Sequence, residues 1–441
     1  MKRIALIVGT AAAVAYARPA RAQSVSPAVG TPGSPDQSIV QGAGVKVGES
    51  TVLHPSAGAE TGFISNVFFE NENPARAGVL RVILELQAAS LSNQRIDAES
   101  GDPNSEGDAQ QEAGDLEWSA GLRVIGQEYL STNDYVQAQH DFGWGANVHG
   151  TVFPRKTWQF GFSDDYTRDF RPTNFESDIK VNRDINRLAL RLMYQPDGRA
   201  LSGALRYENT IDIFEKSSQA FANRIQHTFG VRGNWQWLPI TRIYADASLG
   251  VFSGLGTSSV KQSSLPLRLM TGIQSAITVD TTINLHVGYG RGFYSSGPDF
   301  NNVVFGAQFG WRYSPFGRAT AMYSYDFSDS IQANYFRDHA FQLNATQQYD
   351  RFTATAMLDF RLRQYRGIDP MIAATGSGTD RNDVLFGLTL GGRYNFKDWL
   401  AATAEYELVV DSTGYSYMTD GLTVDPSYVR HQLLAGARAT W

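Results

Sequence analysis

Along most of this chain apolar and polar side chains alternate. "DVLFGLTLGGRYNF" puts Val384, Phe386, Leu388, Leu390, Tyr394 and Phe396 on one face, and Asp383, Thr389, Arg393 and Asn395 on the other. "RFTATAMLDFRLRQY" sets Phe352, Ala354, Ala356, Leu358, Phe360 and Leu362 against Thr353, Thr355, Asp359, Arg361 and Arg363. "RLALRLMY" sets Leu188, Leu190, Leu192 and Tyr194 against Arg187 and Arg191, and "TFGVRGNWQWL" repeats the pattern. Successive side chains of a strand point to opposite faces, so a period of two predicts strands. Such segments begin near 58, 78, 115, 136, 157, 184, 200, 223, 241, 263, 281, 300, 318, 334, 351, 380, 399 and 428, eighteen in all.

The connections fall into two sets that alternate along the chain. One set is tight and rich in turn residues: "FPRKT" around Pro154, then 196–199, 238–241, 278–281, 314–317, 349–351 and 396–399. The other is longer and more polar: 171–183, 215–222, 254–262, 294–299, 366–380 and 411–427. An acidic stretch, 93–115, breaks the alternation, because it is long where a tight turn is due. Either a strand pair before it escapes the pattern, or it is a periplasmic insertion, read as a solvated loop or as a docking element for a periplasmic partner.

A soluble sandwich or propeller would also alternate. Two features favour lipid outside and water inside. The apolar faces end in aromatics, among them Trp158, Trp235, Trp237, Trp311, Tyr313, Phe396 and Trp441, as at a membrane interface. The polar faces carry full charges at mid-strand. In hydrocarbon every backbone N–H and C=O needs an internal partner, which a closed barrel supplies. The pattern therefore predicts an all-β fold, a transmembrane antiparallel up-and-down β-barrel of about 18 strands, set in the outer membrane of a Gram-negative bacterium.

The ends refine this. Lys2 and Arg3 precede an apolar run from Ile4 to Ala17, and Ala20-Arg21-Ala22 fits a cleavage site, so 1–22 reads as a signal peptide. Residues 23–57, rich in Gly, Pro and Ser, read as an extended periplasmic arm, the one candidate for partial occlusion of the channel, and 58–441 as the barrel. No later run of about 18 apolar residues occurs, which excludes a multi-span helical protein. At the other end Leu433, Ala435, Ala437, Ala439 and Trp441 form an apolar face ending in an aromatic. This strand is expected to close the sheet against the first one and to serve as an address for the barrel assembly machinery.

Composition adds little chemistry. The formal charge of −6 points to no nucleic-acid partner, and the absence of cysteine excludes disulfides and thiolate metal sites. The seven histidines are scattered, no HExxH or GxSxG occurs, and no catalytic, cofactor or metal residue is assigned. An enzyme is not the expected reading, although a site assembled in space from Ser and His stays open. "GYGRG" at 288–292 lies in a strand and predicts room for a bulky neighbour or strand curvature.

Extending the alternation gives the lumen. Its basic members include Arg187, Arg191, Arg206, Arg232, Arg242, Arg312, Arg361, Arg363, Arg393 and Arg438; its acids include Asp246, Asp359, Glu405 and Glu407. Bases outnumber acids on this face although the chain is net negative. Two readings stay open. The arginines pair across strands with the acids and stiffen the wall, or they line a path for hydrophilic, anionic solutes.

One short stretch suggests a family. "AETGFISNVFF", 59–69, resembles the first strand of the β-barrel porin 2 family, whose signature is read here at Gly62, Phe63, Ile64, Ser65, Asn66, Val67 and Phe68. The preceding "GVKVGESTVLHP" is similar to the lead-in of some such barrels. The resemblance implies an outer-membrane passage for secreted exopolysaccharide, working with a periplasmic polysaccharide export protein. The alternative is a general or substrate-biased diffusion porin for small hydrophilic solutes. The closing strand also resembles the assembly signal of such barrels, with Trp441 in place of the usual Phe.

Overall fold

The alternating segments become eighteen long strands of one antiparallel sheet closed on itself. The computed structural model describes residues 44–48, 50–90, 115–137, 140–169, 182–196, 200–215, 217–256, 262–331, 333–368, 378–419 and 422–441. The signal peptide, nearly all of the arm and the acidic stretch 93–115 up to residue 114 lie outside the described residues. The strands are β1 (Thr51–Ile64), β2 (Ala77–Ser90), β3 (Leu116–Leu130), β4 (His140–Val152), β5 (Trp158–Asp169) and β6 (Arg183–Tyr194). There follow β7 (Leu201–Phe214), β8 (Arg224–Leu238), β9 (Thr241–Gly254), β10 (Ser264–Thr278), β11 (Thr281–Tyr294) and β12 (Phe300–Ser314). The last six are β13 (Gly317–Asp329), β14 (Tyr335–Tyr349), β15 (Phe352–Arg366), β16 (Asp380–Lys397), β17 (Leu400–Thr413) and β18 (Tyr428–Thr440). Each pairs with the next, and β18 pairs back onto β1 from Ser56–Thr440 to Ile64–Gln432.

All but two of the predicted starts fall within one residue of the observed ones. The first exception is β1, which begins at Thr51 and so takes up residues assigned to the arm. Pro55 disguises this segment. It is tolerated because it lies at the margin of the β18 pairing, where its carbonyl accepts from Trp441 N at 3.0 Å. The second is β4, which begins at His140 rather than near 136. Residues Asp134–Gln137 form one helical turn instead, started by Asn133, whose side chain accepts from Tyr135 N at 2.9 Å.

The signature stretch forms the seam of the barrel. A Cβ at Gly62 would stand 1.8 Å from the Leu433 carbonyl oxygen, so only glycine admits β18 this closely. Beyond β1 the chain turns back at Ser65, whose hydroxyl accepts from His431 N at 2.8 Å. Asn66 then donates to the Glu70 carbonyl at 2.8 Å and the Val429 carbonyl at 3.2 Å, tying the first loop to the last strand.

Outward positions carry the exposed apolar side chains, and the tight-turn end is ringed by Trp158, Trp235, Trp237, Trp311, Trp399 and Trp441. At the other boundary three Tyr–His pairs repeat one diagonal cross-strand geometry. Tyr207 meets His227 Nδ1 at 3.0 Å, Tyr323 meets His339 at 2.9 Å and Tyr406 meets His431 at 2.9 Å. On β8, Trp237 and His227 bracket the belt. At about 2.5 Å of height per tilted residue they stand roughly 25 Å apart, the height of a lipid-facing band. Short turns at one end, save the long connection between Ser90 and Leu116, long loops at the other and an even strand number complete the pattern of a barrel of the outer membrane.

Three loops of the long-loop end fold inward. β13 leaves β12 after Phe305–Tyr325 but stays paired with β14 up to Asp329–Tyr335. This hairpin crosses the inner faces of β12 to β10. Phe327 fills a socket that Gly290 and Gly292 leave open, since a Cβ at either would stand 3.0 Å from its ring. Ser264 donates to Asp329 at 2.6 Å, and Ile331 packs on Phe214 and Ala222 across the lumen. The small hairpin of Tyr417–Thr419 and Leu422–Val424 folds in on the far side, where Tyr415 and Tyr417 join Ala333, Phe336, Tyr365 and Ile368. Phe69 of the first loop packs edge-on against Tyr428 at 5.2 Å.

Candidate functional site: the lumen

The register places Arg187, Arg191, Arg206, Arg232, Arg242, Arg361, Arg363, Arg393 and Arg438 on the inward face, together with Asp246, Asp359, Glu405 and Glu407. Arg312 stands at the tight-turn rim, where it holds Asp280 at 2.7 Å. Leu433, Ala435, Ala437 and Ala439 face outward on β18, and Trp441 follows that strand. Among the described residues no group of three or more His, Asp or Glu could hold a metal.

The inner wall has two characters. From β14 round to β3 it is a set of buried ion pairs. Arg363 grips Asp338 through two bonds of 2.8 and 2.7 Å, and Arg361 takes Asp359 at 2.5 Å. Arg381 is held by Asp383 at 2.7 Å and Asp411 at 3.3 Å, donates to the Tyr417 hydroxyl at 2.9 Å, and lies over the rings of Tyr365 and Tyr417. Arg430 reaches Glu407 at 3.4 Å, and Arg123 reaches Glu85 at 2.9 Å. Glu60 receives both Arg81 and Arg438. A buried arginine is tolerated only with such partners, and its planar fork suits paired carboxylate oxygens. This side of the wall is a stiffening network.

From β6 to β11 one further buried cluster, Arg183 and Arg224 on Asp212, lies at the long-loop end, and other charged and neutral polar side chains line the wall below it. Arg206 donates to both oxygens of Asp246 at 2.8 and 2.7 Å, reaching across β8 where Gly230 leaves space for its guanidinium. Arg268 pairs with Asp326 of the inward hairpin at 3.2 Å and lies over the Phe327 ring at 4.4 Å. Between these arginines Glu208, Gln226, Thr228 and Ser248 line a small polar hollow on the inner face. His149 meets Asp165 at 3.2 Å, and the ring of His286 lies where a Cβ at Gly306 would stand.

Alternation sorts the side chains into two faces. It missed the inward hairpin and its anchors Phe327, Asp329 and Ile331, and it placed the candidate for occlusion in the arm. The signal was present in "GYGRG": two of its inward glycines are the Phe327 socket. It also missed the flat-lying Tyr244, whose hydroxyl donates to Asn284 at 3.1 Å.

Comparison with known proteins gives no family for the chain: no family model and no curated protein matches it. The resemblance to the β-barrel porin 2 signature is thus confined to its short stretch. Solved structures share the architecture. The outer membrane protein OpdK of Pseudomonas aeruginosa is 8% identical, with 88% of this chain and 99% of that one covered at a TM-score of 0.45. OccK2 (OpdF) of the same organism, solved in complex with glucuronate, is 11% identical, with 88% and 98% covered at 0.43. The siderophore receptor PirA, also from that organism, is 7% identical, with 88% and 80% covered at 0.41. At such identities the likeness is one of barrel architecture and says nothing of what passes through. Strand closure, the apolar belt and the charged interior define the class: a β-barrel of the outer membrane.

Proposed function

We propose that the barrel is a diffusion porin that admits small hydrophilic solutes across the outer membrane. The observation that carries this is the polar, charged inner face of the closed barrel beside an inward hairpin anchored across the lumen by Ile331 on Phe214 and Ala222. Polar lining favours hydrated solutes. The anchored hairpin limits the free cross-section, which suits small molecules better than a moving polymer. For that reason the porin reading is preferred to a passage for exopolysaccharide served by a periplasmic export protein.

Liposome swelling with sugars of graded size tests the proposal. Swelling with monosaccharides that falls away with oligosaccharides is the expected result. Impermeable liposomes holding correctly folded barrel would refute it. In cells, deletion of the gene should lower uptake of small solutes and leave surface polysaccharide unchanged; loss of the polysaccharide would favour the export reading instead.

A further inference from the structure

Carboxylates account for much of the inner-wall arginine, but not for Arg232 and Arg242. Arg232, half-buried on β8, donates from Nε to Asn234 Oδ1 at 3.2 Å and lays its guanidinium over the Tyr244 ring at 4.0 Å. Tyr244 is itself held flat, because Gly272 leaves the space that its ring fills: a Cβ there would stand 2.5 Å from the ring and hydroxyl. Arg242, on β9, donates from Nε to Gln236 Oε1 at 3.2 Å. Asp246 stands opposite Arg232 in register, yet both of its oxygens are taken by Arg206. Among the described residues neither Arg232 nor Arg242 has a carboxylate within ion-pair distance. Glu208 faces Thr228, two inward positions nearer the loops, so the stretch from Arg232 to Arg242 is the basic part of this wall.

Each of these arginines has its Nε engaged by a neutral amide oxygen, while among the described residues no hydrogen bond ties its two Nη groups. A guanidinium fixed at Nε, and for Arg232 also at its face, presents a planar edge of N–H donors. Such an edge matches the two coplanar oxygens of a carboxylate. Half-burial strengthens the attraction relative to open water.

We propose that Arg232 and Arg242, with Tyr244 as the shelf, form a binding site in the lumen for small organic anions that carry a carboxylate. The site rests on the porin reading and gives it a substrate class. Binding is transient, as conduction requires: the anion must leave as readily as it enters. Gln236 and Asn234 supply neutral partners for hydroxyl groups on the same solute.

Planar bilayers holding the full chain test this, with gluconate as the probe. Under a KCl gradient the wild-type channel should prefer chloride, and added gluconate should reduce the chloride current. Arg232→Gln with Arg242→Gln should keep a conducting channel, shift the reversal potential toward potassium and raise the half-blocking gluconate concentration by about tenfold or more. Arg232→Lys keeps the charge but loses the planar fork. It should retain chloride preference and lose most of the gluconate block. Tyr244→Leu, which keeps both charges and removes the shelf, should weaken the block by a smaller factor. Heat-modifiable gel migration establishes that each variant is a folded barrel. Equal reversal potentials and equal gluconate block in wild type and the double variant would overturn the site. A wild-type barrel that inserts but does not conduct would instead overturn the porin reading beneath it.

Discussion

Glu60 and Arg438 meet at 3.1 Å across the seam of the barrel, 378 positions apart in the chain. The same carboxylate accepts from Arg81 of β2 at 3.2 Å, so one acid clasps the last strand, the first and the second. All three side chains are nearly fully buried. Removing one partner of such a cluster leaves charge without compensation. Glu60→Ala should therefore destabilise the folded barrel by about 3 kcal/mol or more. Urea titration followed by gel migration measures this, and a midpoint equal to wild type would show that Arg81 and Arg438 find other partners. Glu60→Gln keeps the shape and one acceptor and should cost less.

The outer face gives a second prediction. Val231 lies in the lipid-facing belt between Trp237 and His227 and is 49% exposed. Val231→Arg should cost about 2–4 kcal/mol, the penalty for a cation near the bilayer midplane. Thr228→Arg, on the opposite, lumen-facing side of the same strand, should be nearly neutral for folding in the same vesicles. Equal penalties would mean that the inside and outside have been assigned wrongly.

How much of this was legible in the sequence differs from feature to feature. Strand positions were, because a period of two and turn residues are local properties. Inward and outward faces followed from the same parity. Ion pairs between directly facing residues, such as Arg363–Asp338 and Arg81–Glu60, fit the expected cross-strand pairing, but those that skip a strand were not legible. Arg206 passes over β8 to reach Asp246 on β9, and Arg268 on β10 meets Asp326 on β13, so neither pair follows from neighbouring strands. Parity shows that a charge faces inward but not which charges are already spent. Arg361 and Arg232 look alike in sequence; only geometry shows that the first is locked to Asp359 and the second is not. The start of β1 was hidden because Pro55 reads as loop wherever its neighbour across the sheet is unknown.

A loop contact sets a pH limit. Arg168, at the end of β5, grips Glu215 in the loop after β7 through two bonds of 2.5 and 2.9 Å. The hydrogen bond from Arg168 holds the Glu215 carboxyl below the ordinary glutamate value. A carboxyl with a depressed value stabilises the folded loop above its unfolded value, and that stability is lost as pH falls through the folded one. Amide exchange in 217–223 should thus stay slow on acidification past the usual glutamate range of about 4.3 and rise only below it. Glu215→Gln should remove this pH dependence. A rise in exchange already near neutral pH would contradict the assignment.

The last prediction concerns what narrows the channel. The hairpin of β13 and β14 turns inward only because several anchors hold it there, and Phe327 is the most buried of these at 1% exposure. Its ring stacks on Phe300 at 4.1 Å above the floor that Gly290 and Gly292 provide. Phe327→Ala removes a side chain whose burial in a packed core is worth about 3–5 kcal/mol. Gly290→Val fills the same socket from below, and overpacking costs about 1–3 kcal/mol. These losses fall on the hairpin, because β13 is already detached from β12 beyond Tyr325 and the barrel wall continues to the turn end without it. Both substitutions should leave the barrel folded and raise single-channel conductance, Phe327→Ala more than Gly290→Val. Asp329→Ala, which removes the contact with Ser264, should act in the same direction and more weakly. If all three channels conduct like the wild type, the narrowest point lies elsewhere, and the inward hairpins beside Arg381 become the place to look for it.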